Sequence, residues 1–337
     1  PSGYFRSDNL LSNEDTFQSV IPALQQRVPP GRVYLGVGPE QNFTYIVELQ
    51  PQVAFVLDIR RQNLQLHLLY KALIELSADR AEFLSRLFSR PKPARLGRNA
   101  SAQELFAAFR ATAPDPTMFQ SNLESAVAHL RRTHGFPLTP DDLGGIEYVH
   151  RAFYDGGPDL RYAMPRPFGG GRFFPSYADL LSGTDGRGAA RSYLADERRF
   201  AALKQYQERN LVVPIVGDFA GPHALQTLGR YLRTRGTTVG AFYTSNVEQY
   251  LFQQNRGWMK FADNMRALPF DDRSLILRSR FSFGGYRGFG LATSFGVRRS
   301  VMVFDVIPDL LQAARNNEIH AYSDVLERAR SGPDAAP

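Results

Sequence analysis

The sequence contains no cysteine, one tryptophan and only four lysines among its 40 basic residues. The absence of cysteine excludes disulfide bonds, thiolate metal ligands and cysteine nucleophiles together. No apolar run approaches the ~18 residues that a membrane-spanning helix needs. We therefore expect a soluble protein without a membrane span. The chain begins at Pro1 without an initiator methionine, so the sequence leaves export open.

Arginine supplies the remaining 36 basic residues, and the 40 basic residues together outweigh 33 acidic residues to give a net charge of +7. The planar guanidinium group suits phosphates and other anions. A nucleic-acid-binding protein, however, concentrates its basic residues in one tract or on one face. Here they are scattered along the whole chain, so the charge does not predict a nucleic-acid partner.

Hydrophobic residues make up 43% of the 337 residues, and 25 Phe and 15 Tyr are ample for packed cores. A helical pattern follows Ser12, which we expect to cap that helix. An apolar run at 33–35 then meets a glycine turn, and a helical pattern leads to a second apolar run at 53–57 and a further helix. This β-α-β-α order predicts a parallel sheet covered on both faces.

The pattern changes at about residue 77, where helical stretches begin to alternate with loops rich in Pro, Gly and Arg; strands return at about residue 211. We expect residues 1–76 and 211–330 to form one α/β domain. Residues 77–210 would be a mainly helical insertion between the second and third strands, and residues 331–337 a disordered tail. Aromatic and arginine side chains at 148–177 form a small core, a substrate cage or a surface on which an oligonucleotide stacks.

The strongest local signal is the turn after the first strand. Gly36 and Gly38 let the backbone approach a ligand closely. Asp58 ends the second strand twenty residues later, where a carboxylate accepts hydrogen bonds from ribose hydroxyls. A dinucleotide-binding turn needs a third glycine at position 41, where this chain has Gln41. The pattern indicates a nucleoside site with no pyrophosphate, or a tight strand-to-helix turn without a ligand.

This turn resembles the acid-x-G-x-G-x-G motif of class I S-adenosylmethionine-dependent methyltransferases. Two positions depart from that motif, because Tyr34 replaces the acid and Glu40 the third glycine. Glu40 could instead meet the ammonium group of the cofactor. Longer strings, such as Gly36-Val-Gly-Pro-Glu-Gln-Asn42, resemble an uncharacterised bacterial protein family with a methyltransferase-like fold.

Two later segments support the resemblance. Gly217-Asp218-Phe219, after the third strand, is similar to the family's adenine-contacting acid and its apolar neighbour. Tyr243-Thr-Ser-Asn246, after the fourth strand, falls where the family places its active-site motif. The resemblance implies a Rossmann-like α/β sheet.

The resemblance also implies a ligand, which is S-adenosylmethionine or the product S-adenosylhomocysteine. The residues expected to bind it are Gly36, Gly38, Glu40, Asp58, Asp218, Phe219 and Ser245. The residues expected to orient the methyl acceptor are Tyr243, Asn246 and Glu248. A glutamate at the start of a helix also favours the helix dipole in any protein, so Glu248 has a purely structural alternative. Residues 4–9 form either a lid over the cofactor or an arm packed on the sheet.

We therefore expect a methyltransferase that acts on a small-molecule acceptor and, as such, is cytoplasmic. The alternative is a non-catalytic module that binds an adenosyl ligand or a protein partner. The six histidines are scattered without the spacing of metal ligands. We expect no metal site.

Overall fold

The computed structural model describes residues 9–94, 96–162, 174–282 and 299–331. Seven strands form one sheet within this part of the chain: β1 Val33–Gly36, β2 Val53–Asp58, β3 Val212–Val216, β4 Val239–Ser245, β5 Leu275–Ser282, β6 Arg299–Val306 and β7 Arg330–Ser331. Their order across the sheet is β3-β2-β1-β4-β5-β6-β7. The first five strands are parallel, and β6 is antiparallel to both β5 and β7. The protein has an α/β fold with a mixed, mostly parallel sheet.

The central strand of the parallel part is β1, which pairs with β2 on one side and β4 on the other. Its first residue, Val33, lies opposite both Val53 and Val239. All four β1 residues are buried, as expected for a parallel strand whose two faces are both covered. Because the five parallel strands share one direction, their carboxyl ends meet at one edge of the sheet.

Helices connect and cover the strands. Those described are α1 Ile21–Arg27, α2 Gln41–Leu49, α3 Arg61–Glu75, α4 Arg80–Phe88, α5 Ala102–Arg110, α6 Pro116–Arg132, α7 Pro140–Gly156, α8 Tyr177–Ser182, α9 Glu197–Glu208, α10 Ala224–Thr234, α11 Val247–Phe252, α12 Gly257–Met265, α13 Ile307–Arg315 and α14 Tyr322–Arg328. In the described ranges, no helix combines the length and the apolar composition needed to cross a lipid bilayer.

The chain between β2 and β3 is helical, from α3 to α9. Helix α3 packs against α6, α7 and α9 as well as against β2 and β3. On α3, the Tyr70 ring lies edge-on to Phe43 of α2 and Phe153 of α7, with ring centroids 5.3 and 5.8 Å apart. One hydrophobic core therefore continues from the sheet into these helices. The domain boundaries at residues 77 and 210 stay a prediction.

The aromatic stretch at 148–177 contributes to this core where it is described. Phe153 and Tyr177 are fully buried and contact each other edge to face. Arg151 lies over the Phe119 ring, 3.7 Å from its centroid. Residues 163–173 lie outside the described part of the chain, and with them several of the aromatic residues that suggested a substrate cage.

Both ends of the described chain differ from the expectations. A 3₁₀ turn, Phe17–Val20, precedes α1 and has Thr16 at its N-terminus. The Ser12 hydroxyl accepts a hydrogen bond from the Glu14 backbone N–H instead of capping the helix, because the helical backbone begins several residues later. At the other end, Ser331 pairs with Val303 of β6. Residues 332–337 and the segment 4–8 lie outside the described residues.

A fully buried ion pair joins α11 to β5. Arg278, on β5, donates to both carboxylate oxygens of Glu248, and the side chains of both residues are inaccessible to solvent. The Thr244 hydroxyl, at the end of β4, lies 3.4 Å from the same carboxylate. Burying two charges is costly unless each satisfies the other. The ion pair therefore fixes the position of α11 over the carboxyl ends of β4 and β5.

We predict that Arg278→Met destabilises the protein by about 3–5 kcal/mol, because Glu248 is left as an unpaired buried charge. The double variant Glu248→Leu/Arg278→Met should lose markedly less stability, because neither charge is left buried. Urea denaturation followed by circular dichroism measures both. Additive losses in the double variant would contradict a coupled pair.

Candidate functional site

A cavity of about 280 Å³ opens at the edge of the sheet where the carboxyl ends of β1 to β4 meet. The loops that follow these four strands line one side of it. Residues of the segment 9–14, the helix α11 and Tyr162 complete the lining. In open α/β sheets, ligands bind outside the carboxyl ends of the strands, so this cavity is the candidate site.

The turn after β1 is held by the side chain of Asn42. Its amide group donates to the carbonyl oxygens of Val37 and Pro39, at 2.9 and 2.7 Å. Its carbonyl oxygen accepts a 2.8 Å hydrogen bond from the Tyr34 hydroxyl. A Cβ atom at position 36 would lie 1.9 Å from this same oxygen. A side chain at position 36 would clash with Asn42, so this position needs glycine. Gly36 itself is not part of the cavity lining.

Gly38 does line the cavity. Its φ of +78° belongs to the left-handed region that glycine tolerates best. Its carbonyl oxygen lies 2.9 Å from Nε2 of His67 on α3. Burial lowers the pKa of His67 to about 4, so the ring is neutral at physiological pH and donates through Nε2. This bond anchors the turn to α3.

Asp58 lies at the end of β2 and lines the cavity together with Arg60. Arg60 donates to both oxygens of this carboxylate, from Nη2 at 2.8 Å and from Nε at 3.1 Å. The Arg60 backbone N–H also donates to Oδ1, at 2.9 Å. Oδ2 receives only the Nη2 bond among the described contacts, which leaves it a lone pair for a ligand hydroxyl.

Asp218 and Phe219 follow β3 and both line the cavity. Asp218 is exposed, and its Oδ1 accepts a 2.9 Å hydrogen bond from the Ala220 backbone N–H. Phe219 is buried, and its ring stacks on Phe242 of β4 at an interplanar angle of 17°. The strand end therefore presents a carboxylate beside a fixed aromatic ring.

Ser245 and Asn246 follow β4 and line the cavity next to Gly38. Ser245 has a φ of +52°, an uncommon conformation for a residue with a side chain. Such backbone strain is concentrated at functional sites. Tyr243 and Glu248 are fully buried behind this loop and lie outside the cavity lining; the Glu248 carboxylate is held by Arg278.

The structure adds one acidic residue that the sequence analysis did not select. Glu14 lines the cavity, although its side chain is almost fully buried. One carboxylate oxygen accepts from the Tyr243 hydroxyl at 2.6 Å, and the other accepts from the Ser245 hydroxyl. Burial raises the pKa of the Glu14 carboxyl to about 6, against the effect of these hydrogen bonds. Nothing in the local sequence marks Glu14, because its partners lie more than 200 residues away.

Glu40 takes a position different from the one expected of a cofactor ligand. It lies at the start of α2 and is almost fully buried, outside the cavity lining. Neither carboxylate oxygen makes a well-formed hydrogen bond among the described residues, and the nearby backbone N–H groups of Ser12 and of Glu40 itself offset its burial only in part. Burial raises the pKa of Glu40 to about 8, so the group is mostly protonated at neutral pH. A protonated carboxyl group is a poor partner for an ammonium ion.

Two amide oxygens in the cavity lining are also buried without a partner among the described residues: Asn9 Oδ1 and Gln41 Oε1. The Gln41 amide nitrogen donates to the Tyr243 hydroxyl at 2.8 Å, which fixes where the oxygen points. Buried acceptors without a donor are rare in folded proteins. These two oxygens therefore favour a ligand that brings hydrogen-bond donors into the cavity.

The chain belongs to the family described as "Domain of unknown function (DUF7790)", which matches residues 10–133 and 172–292. These segments include every residue proposed for the site except Asn9 and Tyr162. No curated protein matches the chain. The family description names no activity, so the function rests on the geometry of the site.

The pKa of Glu40 predicts how stability depends on pH. An acid whose pKa is raised by folding stabilises the protein fully below its unfolded value of 4.5, and that stability is lost as the pH rises through about 8. We expect Glu40→Gln to remove this loss, so that the variant gains about 3–5 kcal/mol relative to the wild type between pH 4.5 and 9.

Urea denaturation at a series of pH values measures this difference. The exposed Glu124 on α6 offers a matched control, and Glu124→Gln should keep the wild-type pH profile. If the free energies of unfolding of Glu40→Gln and of the wild type changed in parallel with pH, Glu40 would be ionised in the folded protein, contrary to this prediction.

Proposed function

We propose that the protein is a class I S-adenosylmethionine-dependent methyltransferase acting on a small-molecule acceptor. The observation that carries the proposal is the convergence of Gly38, Asp58 and Asp218 on one cavity, with Phe219 and Ser245 beside them. These are five of the seven residues that the resemblance assigns to the cofactor. The other two, Gly36 and Glu40, lie outside the cavity lining, and Gly36 belongs to the turn that Asn42 holds.

The strand order supports a Rossmann-like sheet. From β1, the chain adds β2 and β3 on one side and then returns to add β4 and β5 on the other. The order therefore reverses between β1 and β4, and a nucleotide-binding crevice forms at such a switch point. Gly38 follows β1 and Ser245 follows β4, so the cavity lies at this point.

The charge of the cavity favours a cationic ligand over a pyrophosphate. Glu14, Asp58 and Asp218 contribute three acidic side chains, whereas Arg60 is the one basic residue in the described lining. Arg60 is already paired with Asp58. Opposite charges attract strongly in such partly buried sites. The sulfonium cofactor fits this balance, and a dinucleotide with its two phosphate charges does not.

The hydrogen-bonding groups also match the cofactor. Asp58 Oδ2 would accept from a ribose hydroxyl, and Asp218 with Phe219 would contact the adenine. The unpartnered oxygens of Asn9 and Gln41 would accept from the ammonium group, in place of the protonated Glu40. Each of these assignments pairs a donor of the ligand with an acceptor of the lining.

Glu14 supplies the acid–base chemistry that this site needs. The cofactor would supply a methyl group on a positively charged sulfur, which would keep the electrons of the broken carbon–sulfur bond. The acceptor's nitrogen or oxygen would release a proton as it takes that methyl group. Glu14, with a pKa of about 6, is mostly ionised at pH 7 and takes this proton, as a general base near the working pH should.

The three residues expected to orient the acceptor differ in where they lie relative to the cavity. Asn246 lines the cavity and would contact the acceptor. Tyr243 acts through its hydrogen bond to Glu14 and is a positioning residue. Glu248 stabilises the loop through its ion pair with Arg278, so we propose no contact between it and the acceptor.

Isothermal titration calorimetry with S-adenosylmethionine tests the proposal. We expect one cofactor per chain, and Asp58→Asn should weaken binding by at least about 10-fold because a charged acceptor for the ribose is lost. Glu124→Gln, remote from the cavity, should bind like the wild type. Absence of binding at millimolar cofactor by protein with a native circular dichroism spectrum would overturn the proposal.

Glu14→Gln should lower methyl transfer by about 100-fold, because the amide cannot take the acceptor's proton. Cofactor affinity should change far less. The measurement is transfer of an isotope-labelled methyl group to small molecules in a cell extract, followed by mass spectrometry. Cofactor binding by the wild type without transfer to any extract component would favour the non-catalytic adenosyl-binding module.

A further inference from the structure

Two histidines and a glutamate converge at the end of α3 remote from the cavity. Glu75 is the last residue of α3, His129 lies in the last turn of α6, and His134 follows that helix. The Nε2 atoms of both histidines lie 2.6 Å from the same oxygen, Oε2 of Glu75. Helix α3 begins beside Asp58 and rises about 21 Å to Glu75. The cluster is therefore separate from the site described above.

The two imidazole rings are held so that each presents Nε2 to the same point. Nδ1 of His129 lies 3.2 Å from the Thr133 hydroxyl. The His134 ring stacks on Phe136, with centroids 5.4 Å apart and an interplanar angle of 19°. A histidine whose second nitrogen is hydrogen-bonded is the usual form of a metal-ligating histidine.

Glu75 is oriented from its other side. Lys71 donates to Oε1 of the carboxylate at 2.5 Å and also to the Gln207 carbonyl oxygen. This contact occupies Oε1 and leaves Oε2 facing the two rings, so Glu75 would bind an ion through one oxygen. The three side chains are between 5% and 17% exposed, which leaves an approach from solvent.

The contacts are crowded for ordinary hydrogen bonds. Two N–H donors reach one oxygen at 2.6 Å, below the 2.7–3.2 Å range typical of N–H···O bonds. Ligand atoms around a tetrahedral zinc ion at about 2.1 Å lie roughly 3.4 Å apart. Each of the two nitrogen–oxygen distances would therefore lengthen by about 0.8 Å when the ion binds.

We propose that Glu75, His129 and His134 form a zinc-binding site, with water as the fourth ligand. Two imidazoles and one carboxylate are a common protein ligand set for Zn²⁺. The bound ion links the end of α3 to the end of α6. Spacing alone does not indicate this site, because the glutamate lies more than 50 residues before the histidines.

Calorimetric titration of EDTA-treated full-length protein with Zn²⁺ tests the proposal directly. We expect one ion per chain and a rise in Tm of several degrees in the zinc-loaded protein, since a ligand that binds only the folded state stabilises it. Co²⁺ in place of Zn²⁺ should give the visible absorption of a four-coordinate ion.

The variants His129→Gln and His134→Gln should each weaken Zn²⁺ binding by at least about 10-fold. The matched control is His320→Gln, because His320 is exposed and lies outside the cluster; it should bind like the wild type. Circular dichroism establishes that each variant is folded.

Two results would overturn the proposal. One is failure of folded, metal-free wild-type protein to bind Zn²⁺ at about 100-fold excess. The other is unchanged affinity in both folded histidine variants.

Discussion

The arrangement of the protein depends on the double pairing of β1. Because β1 is hydrogen-bonded in parallel to β2 and to β4, the chain must leave all of these strands at the same edge of the sheet. The four loops that line the cavity are thereby brought to one place, although they come from near positions 37, 59, 217 and 245 of the sequence. The reversal of strand order at β1 opens a crevice there, since the connecting helices diverge to opposite sides.

Three buried glutamates around this edge show how differently a carboxyl group can be accommodated. Glu248 is neutralised by Arg278 and stabilises α11 over the strands. Glu14 accepts from two hydroxyl groups, which compensate its burial only in part and leave its pKa near neutrality. At Glu40 burial outweighs the nearby backbone N–H groups and raises the pKa to about 8, so the carboxyl group is mostly protonated at neutral pH. Among these three glutamates, Glu14 alone combines contact with the cavity and a pKa suited to proton transfer, because its hydrogen bonds offset part of the effect of burial.

Much of the fold and part of the site could be predicted from the sequence, because they depend on local patterns. Strands at 33–36, 53–58, 212–216 and 239–245 are marked by apolar runs, and Gly38, Asp58 and Asp218 are marked by their place at the ends of the first three runs. One prediction was wrong because a local pattern had two meanings: Ser12 has the sequence of a helix cap, but the helix begins later and its hydroxyl closes a turn instead. For Glu248 the sequence left a role in orienting the acceptor and a structural role both open, and the structure shows its buried carboxylate paired with Arg278.

The sequence by itself determined the α/β class, the order of strands and helices along the chain and the glycine turn after β1. Hydrophobic periodicity and turn-forming residues act over a few positions, so they can be recognised from the sequence alone. Only the tertiary structure decided that Glu14 reaches Ser245 across more than 200 residues and that Glu75 meets His129 and His134. Such contacts depend on which helix faces pack together, and that outcome is set by the summed packing of the whole core rather than by any local stretch of sequence.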